Sequence, residues 1–201
     1  MIDQNTITTG RASLLDSINL RRRLDKSLYH LTGVFDADIL KKIKNYLDGR
    51  ELPWESVAGQ EKFNRKKISW QSDSVIEELH EIFMAATDCI NTIFPEPKKN
   101  FWGISIWEDR EGYAIDWHTD NPDIDVSIQV YLFGDGTLGT EFSLINENIV
   151  IPDVSNSGYL LNQSISESRL SHRTLRQVPP GRVRYSLYAV WSRYPKKSSN
   201  T

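Results

Sequence analysis

Asp116-Trp117-His118-Thr119-Asp120-Asn121-Pro122 is the stretch on which the reading of this chain turns. His118 and Asp120 stand two residues apart. In an extended strand, positions i and i+2 point to the same side. The spacing therefore predicts an imidazole and a carboxylate projecting together from one face. Joined by a second histidine, they would form a 2-His-1-carboxylate set, which suits non-haem Fe(II) with open coordination positions.

Outward from this stretch, the C-terminal half reads as strands. Short β-rich runs fall at 101–107, 113–117, 126–133, 140–145, 159–163 and 182–191. Gly112, Asn121-Pro122, Gly134-Asp135-Gly136, Gly139 and Pro179-Pro180-Gly181 punctuate them as turns. The N-terminal half has helical periodicity. Asp36 is placed to cap a helix over 36–48, carrying Ile39, Leu40, Ile43, Tyr46 and Leu47 and ending at Gly49. Ser74 and Glu77 form a capping box for one long helix over 74–94, stopped by Pro95 and Pro97. A strand is expected over 27–34, and 50–71 reads as a polar, solvated loop anchored by Trp54 and Phe63, with a substrate lid as the alternative. Helices first and strands after predict an α+β domain, a double-stranded β-helix (jelly roll) with N-terminal helices packed on one face. Residues 27–195 form this domain, with an N-terminal segment over 1–26 containing a short helix around Leu14 to Leu20, and a polar tail over 196–201.

The 201 residues suffice for one full core. With 25% charged and 39% hydrophobic residues, the composition is that of an ordinary globular protein. A net charge of −3 provides no global basic field for nucleic acid. No apolar run approaches the roughly 20 residues that span a bilayer, and the first residues lack a signal-peptide pattern. The single cysteine, Cys89, has no partner for an internal disulfide. A reducing, cytoplasmic setting is the expectation.

Only four histidines are present, and His172 is the one besides His118 in the strand-rich half. It is the candidate for the third metal ligand. His30 and His80 fall in the predicted first strand and second helix and read as structural. In the last strand, Arg182, Arg184 and Ser186 share a face. A guanidinium offers a planar fork to a carboxylate. An arginine inside a barrel calls for an anionic ligand or an acidic partner.

With those residues in view, the sequence resembles the iron(II)- and 2-oxoglutarate-dependent oxygenases, in their prolyl hydroxylase-like branch. The resemblance runs from Trp107 to Trp191, and more weakly from Leu28 through the first capped helix. It is carried by His118-Thr119-Asp120-Asn121-Pro122, Tyr131-Leu132, Gly139-Thr140-Glu141-Phe142, His172 and Arg184-Tyr185-Ser186-Leu187 leading to Val190-Trp191. It implies that His118, Asp120 and His172 bind the iron, and that Arg184, Tyr131 and Ser186 receive the distal carboxylate of 2-oxoglutarate. Arg182 is the alternative anchor; Arg184 is favoured because Tyr185 to Trp191 follows it in register.

The same resemblance implies a dioxygenase that hydroxylates a C–H bond, releases succinate and carbon dioxide, and takes ascorbate as a reductant. Peptidyl proline is the leading substrate; another protein side chain, an amino acid or a small metabolite are the others. The carboxylate of Asp120 disfavours halogenation, whose enzymes carry a small residue there. Val190 stands where nucleic-acid demethylases of this superfamily carry a second arginine, which argues against nucleic acid. Competing readings are a non-enzymatic jelly-roll binding or viral structural protein, and a cupin-type metalloenzyme that does not use 2-oxoglutarate.

Overall fold

The structure, a computed structural model, describes residues 4–49, 51–57, 64–69, 74–164 and 169–195. In chain order the elements are α1 (Gln4–Asn19), β1 (Arg22–Arg23), β2 (Leu28–Thr32), α2 (Ala37–Asp48), β3 (Glu55–Ser56), β4 (Arg65–Ser69), α3 (Ser74–Ala85), α4 (Thr87–Ile93), β5 (Asn100–Asp109), β6 (Val126–Tyr131), β7 (Asp135–Ser143), β8 (Asn148–Val154), β9 (Ser157–Asn162), β10 (His172–Thr174) and β11 (Arg184–Ser192). One sheet of eight strands runs β1-β2-β9-β6-β11-β5-β4-β3, and a second of three runs β10-β7-β8. Every pairing is antiparallel.

The two-residue alternation of the large sheet divides the molecule. On β11, Leu187, Ala189 and Trp191 are fully buried against the helices. Ile106 of β5, Ile128 and Val130 of β6 and Leu160 of β9 join them. The helices contribute Leu14 and Ile18 from α1, Ile39 and Ile43 from α2, and Leu79, Ile82 and Phe83 from α3. Asp36 caps α2 as expected, accepting a hydrogen bond from the Ile39 backbone N–H at 2.8 Å. Cys89 packs half-buried against this core, and burial pushes its thiol up. The opposite face of the sheet packs on the small one, Tyr131, Tyr159 and Leu161 meeting Phe142 and Ile151. That face carries the site.

Several expectations need correction. The long helix over 74–94 is broken at Ala86, whose N–H bonds the Phe83 carbonyl three residues back at 3.1 Å. This tighter turn ends one helix and starts the next. The Ser74 side chain lies outside the described residues, as do 196–201. The stretch 64–69, read as loop, contains β4, which pairs with β5. No strand forms over 113–117. The glycines Gly136 and Gly139, read as turn residues, lie within β7, where they produce a register shift. At Gly139 (φ +125°) a Cβ would approach the Ile151 carbonyl oxygen to 2.4 Å, so only glycine fits that bulge. Strand β8 escaped notice because Pro152 interrupts its apolar run; as an edge strand it tolerates the proline.

Candidate metal centre

His118, Asp120 and His172 converge, one ligand atom of each lying within 4.8 Å of the others. Among the described residues they are the one such group. Strand alternation is not what brings them together. The two histidines form an isolated antiparallel bridge. The His118 N–H donates to the His172 carbonyl at 3.0 Å, and the His172 N–H donates to the His118 carbonyl at 2.8 Å. Their rings consequently sit 4.4 Å apart. Thr174 extends this seam, its N–H donating to the Ile115 carbonyl and its hydroxyl accepting from the Ile115 N–H, each at 3.0 Å.

The second atom of each candidate ligand is already engaged. Nδ1 of His118 lies 2.8 Å from the Asp116 carbonyl, and Nδ1 of His172 lies 3.3 Å from that of Leu170. A carbonyl only accepts, so in the neutral imidazole the proton belongs on Nδ1 and the lone pair on Nε2. Asp120 Oδ2 accepts from Gln163 Nε2 at 2.7 Å and from the Ser127 hydroxyl at 3.4 Å. Its Oδ1 faces His172 Nε2 at 3.6 Å. Arg169 staples the turn, donating to the carbonyls of Asp120 at 3.1 Å and Pro122 at 2.6 Å. Outer partners that fix ligand orientation in this way are characteristic of metal sites. Burial lowers the His172 pKa and outweighs the opposing pull of Asp120, favouring the neutral imidazole that a metal needs.

These three residues line a cavity of about 320 Å³ that also takes in Arg65, Trp107, Tyr113, Gln129, Thr140, Tyr159, Arg184 and Tyr188. Arg184 is buried at 4% exposure. Its Nε and Nη2 donate to Asp109 Oδ2 at 3.1 and 2.8 Å, and its Nη1 donates to the Gly139 carbonyl at 3.2 Å. An acidic partner for the buried arginine is therefore present. Burial pushes the Asp109 carboxyl up, but Arg65 and Arg184 overcome this and hold it below its ordinary value. Arg182 points elsewhere; it precedes β11 and pairs with Asp135 at 2.9 Å, each about half exposed.

Tyr131 reaches the cavity through Thr140, their hydroxyls 2.7 Å apart. Burial pushes its phenol up to about 12, so it keeps its proton at neutral pH. Ser186 is fully buried on the Arg184 face of β11, and its hydroxyl has no partner among the described residues. Among the tryptophans, Trp107 lines the cavity and Trp117 lies exposed under Arg173 at 4.6 Å, while Trp54 stacks on Tyr185. Sequence reasoning missed Arg65, Asp109, Thr140 and Gln163. Only Thr140 had a local signal, the Gly139-Thr140-Glu141-Phe142 motif.

No family model and no curated protein matches this sequence. Solved structures do. An oxidoreductase of the 2OG-Fe(II) oxygenase family from Burkholderia pseudomallei superposes with a TM-score of 0.60 at 17% identity, covering 96% of this chain and 93% of its own. A prolyl-4-hydroxylase from Pseudomonas putida gives 0.60 at 14% identity, over 90% of this chain and 98% of its own. A non-heme alpha ketoglutarate-dependent epimerase of nogalamycin biosynthesis gives 0.57 at 12% identity, over 92% and 84%. The chain has the fold shared by 2OG-Fe(II) oxygenases and prolyl 4-hydroxylases.

Proposed function

We propose that this protein is an Fe(II)- and 2-oxoglutarate-dependent dioxygenase that hydroxylates a C–H bond, with peptidyl proline the first substrate to test. The observation that carries the reading is the donor set: two Nε2 lone pairs and one carboxylate oxygen, converging while their outer atoms are held by the protein. In this reading the two sheets are the walls of a double-stranded β-helix. Bound iron, with 2-oxoglutarate and dioxygen, supplies the power to oxidise a C–H bond, with succinate and carbon dioxide as coproducts.

The chain's own share is positioning. His118, Asp120 and His172 would hold the metal. Arg184 meets the distal carboxylate of 2-oxoglutarate with N–H groups not spent on Asp109, and Thr140 with Tyr131 behind it provides hydroxyls at the same end. Ser186 lies buried on the Arg184 face of β11 but is not among the residues lining the cavity, so its share in this end rests on the motif resemblance. Trp107, Tyr113 and Tyr188 wall the cavity and limit water.

The prolyl reading draws on the prolyl hydroxylase structures that share the fold. An epimerase also uses this fold, so the product must be identified chemically. The test is succinate formation from 2-oxoglutarate with Fe(II) and ascorbate, screened across proline-rich peptides, amino acids and small metabolites, with product mass. Substrate-stimulated succinate that is lost in His172→Ala is expected. Iron uptake without 2-oxoglutarate uptake would return the cupin-type reading.

A further inference from the structure

The cavity wall opposite the candidate ligands contains more charge than an anchor arginine requires. Arg65, Asp109 and Arg184 stand on one rung of three adjacent strands, Asp109 of the central β5 pairing in register with Arg65 of β4 on one side and Arg184 of β11 on the other. Asp109 is fully buried, and the two guanidiniums grip both its oxygens. Arg65 donates through Nε to Oδ1 at 2.5 Å and through Nη2 to Oδ2 at 3.0 Å. The Arg65 guanidinium is sandwiched between aromatic rings, 4.4 Å from the Trp107 centroid and 4.2 Å from that of Tyr113. Both arginines line the cavity.

Two positive charges against one negative leave a single positive charge in excess. An Arg184–Asp109 pair alone would be neutral, and its carboxylate would repel an incoming one across a low-dielectric wall. Arg184 has five N–H groups and spends three on Asp109 and Gly139, leaving two on its terminal nitrogens for a ligand. We infer that Arg65 is a positioning residue for the cosubstrate: it neutralises Asp109, so that Arg184 keeps its charge for the distal carboxylate. This rests on the 2-oxoglutarate reading above. It assigns a role to a residue of the stretch that reads as loop, and it makes Asp109 the fixed pivot between the arginines.

Calorimetric titration with Mn(II) in place of Fe(II) tests it without turnover. The ligands are 2-oxoglutarate and 2-oxopentanoate, which has a methyl group where the distal carboxylate stands. Arg65→Gln should weaken 2-oxoglutarate binding about 10- to 100-fold, the loss expected for one charge-assisted contact, and change 2-oxopentanoate binding less than about threefold. The double variant Arg65→Gln with Asp109→Asn restores one excess positive charge and should bind 2-oxoglutarate within about fivefold of wild type. Should Arg65→Gln not fold, the double variant decides. Equal losses for both ligands, unchanged 2-oxoglutarate binding in Arg65→Gln, or no recovery in the double variant would overturn the inference. Wild-type protein that binds neither oxoacid would instead remove the 2-oxoglutarate reading itself.

Discussion

The two ends of the cavity are built on opposite plans. At the metal end, every candidate ligand keeps one donor atom free, and the protein occupies the other with carbonyls, Gln163 and Ser127. At the arginine end the charges are largely spent on one another, through Asp109. The first arrangement leaves room for a cation. The second holds two buried cations in place with one anion and retains a residual positive charge. In the proposed function, these two ends would receive the two ends of one 2-oxoglutarate dianion.

The contrast can be broken most severely at Asp109. Asp109→Ala strands two guanidiniums, one almost wholly buried, and should destabilise the fold by about 3–5 kcal/mol. The pH dependence has a definite sign. Because the folded-state pKa of Asp109 lies below the usual carboxylate value, its contribution is fully present above about pH 4 and is lost as pH falls through that lowered value. Urea unfolding across pH 2–7 should show wild type losing stability on the acid side by more than Asp109→Ala does. Equal acid limbs would mean that the carboxylate is not held by its arginines.

A smaller effect separates Arg184, at the start of β11, from Arg182, which precedes that strand. Arg184→Ala should weaken 2-oxoglutarate binding by about 1.5–3 kcal/mol. Arg182→Ala removes only a half-exposed pair with Asp135, so binding and stability should stay close to wild type. A larger binding loss from Arg182→Ala would reverse the assignment.

The convergence of His118, Asp120 and His172 was legible because few histidines exist and the H-x-D spacing is local, but the reason they converge differs from the one the spacing suggests. Residues 116–120 form no strand; the backbone bridge between His118 and His172 and the hold of Gln163 on Asp120 set the geometry. The face of Arg184 followed from the alternation along its own strand, with Leu187, Ala189 and Trp191 marking the buried side. Its partners did not. Asp109 is 75 residues away, and Arg65 lies in a polar run whose pairing with β5 leaves little local pattern. Register across three strands is a tertiary fact. The fold class was readable from the change of rhythm after Pro97, whereas β8 and β10 were hidden by an edge proline and by a length of three residues.

On the proposed function, one metal ion and one 2-oxoglutarate meet in this cavity. Anaerobic titration of the protein with Fe(II) and 2-oxoglutarate, followed in the visible range, tests it most directly. A weak charge-transfer band that saturates at one equivalent of each, and is absent from His172→Ala, is the predicted result. A wild-type protein that develops no band and retains no iron under these conditions would contradict it.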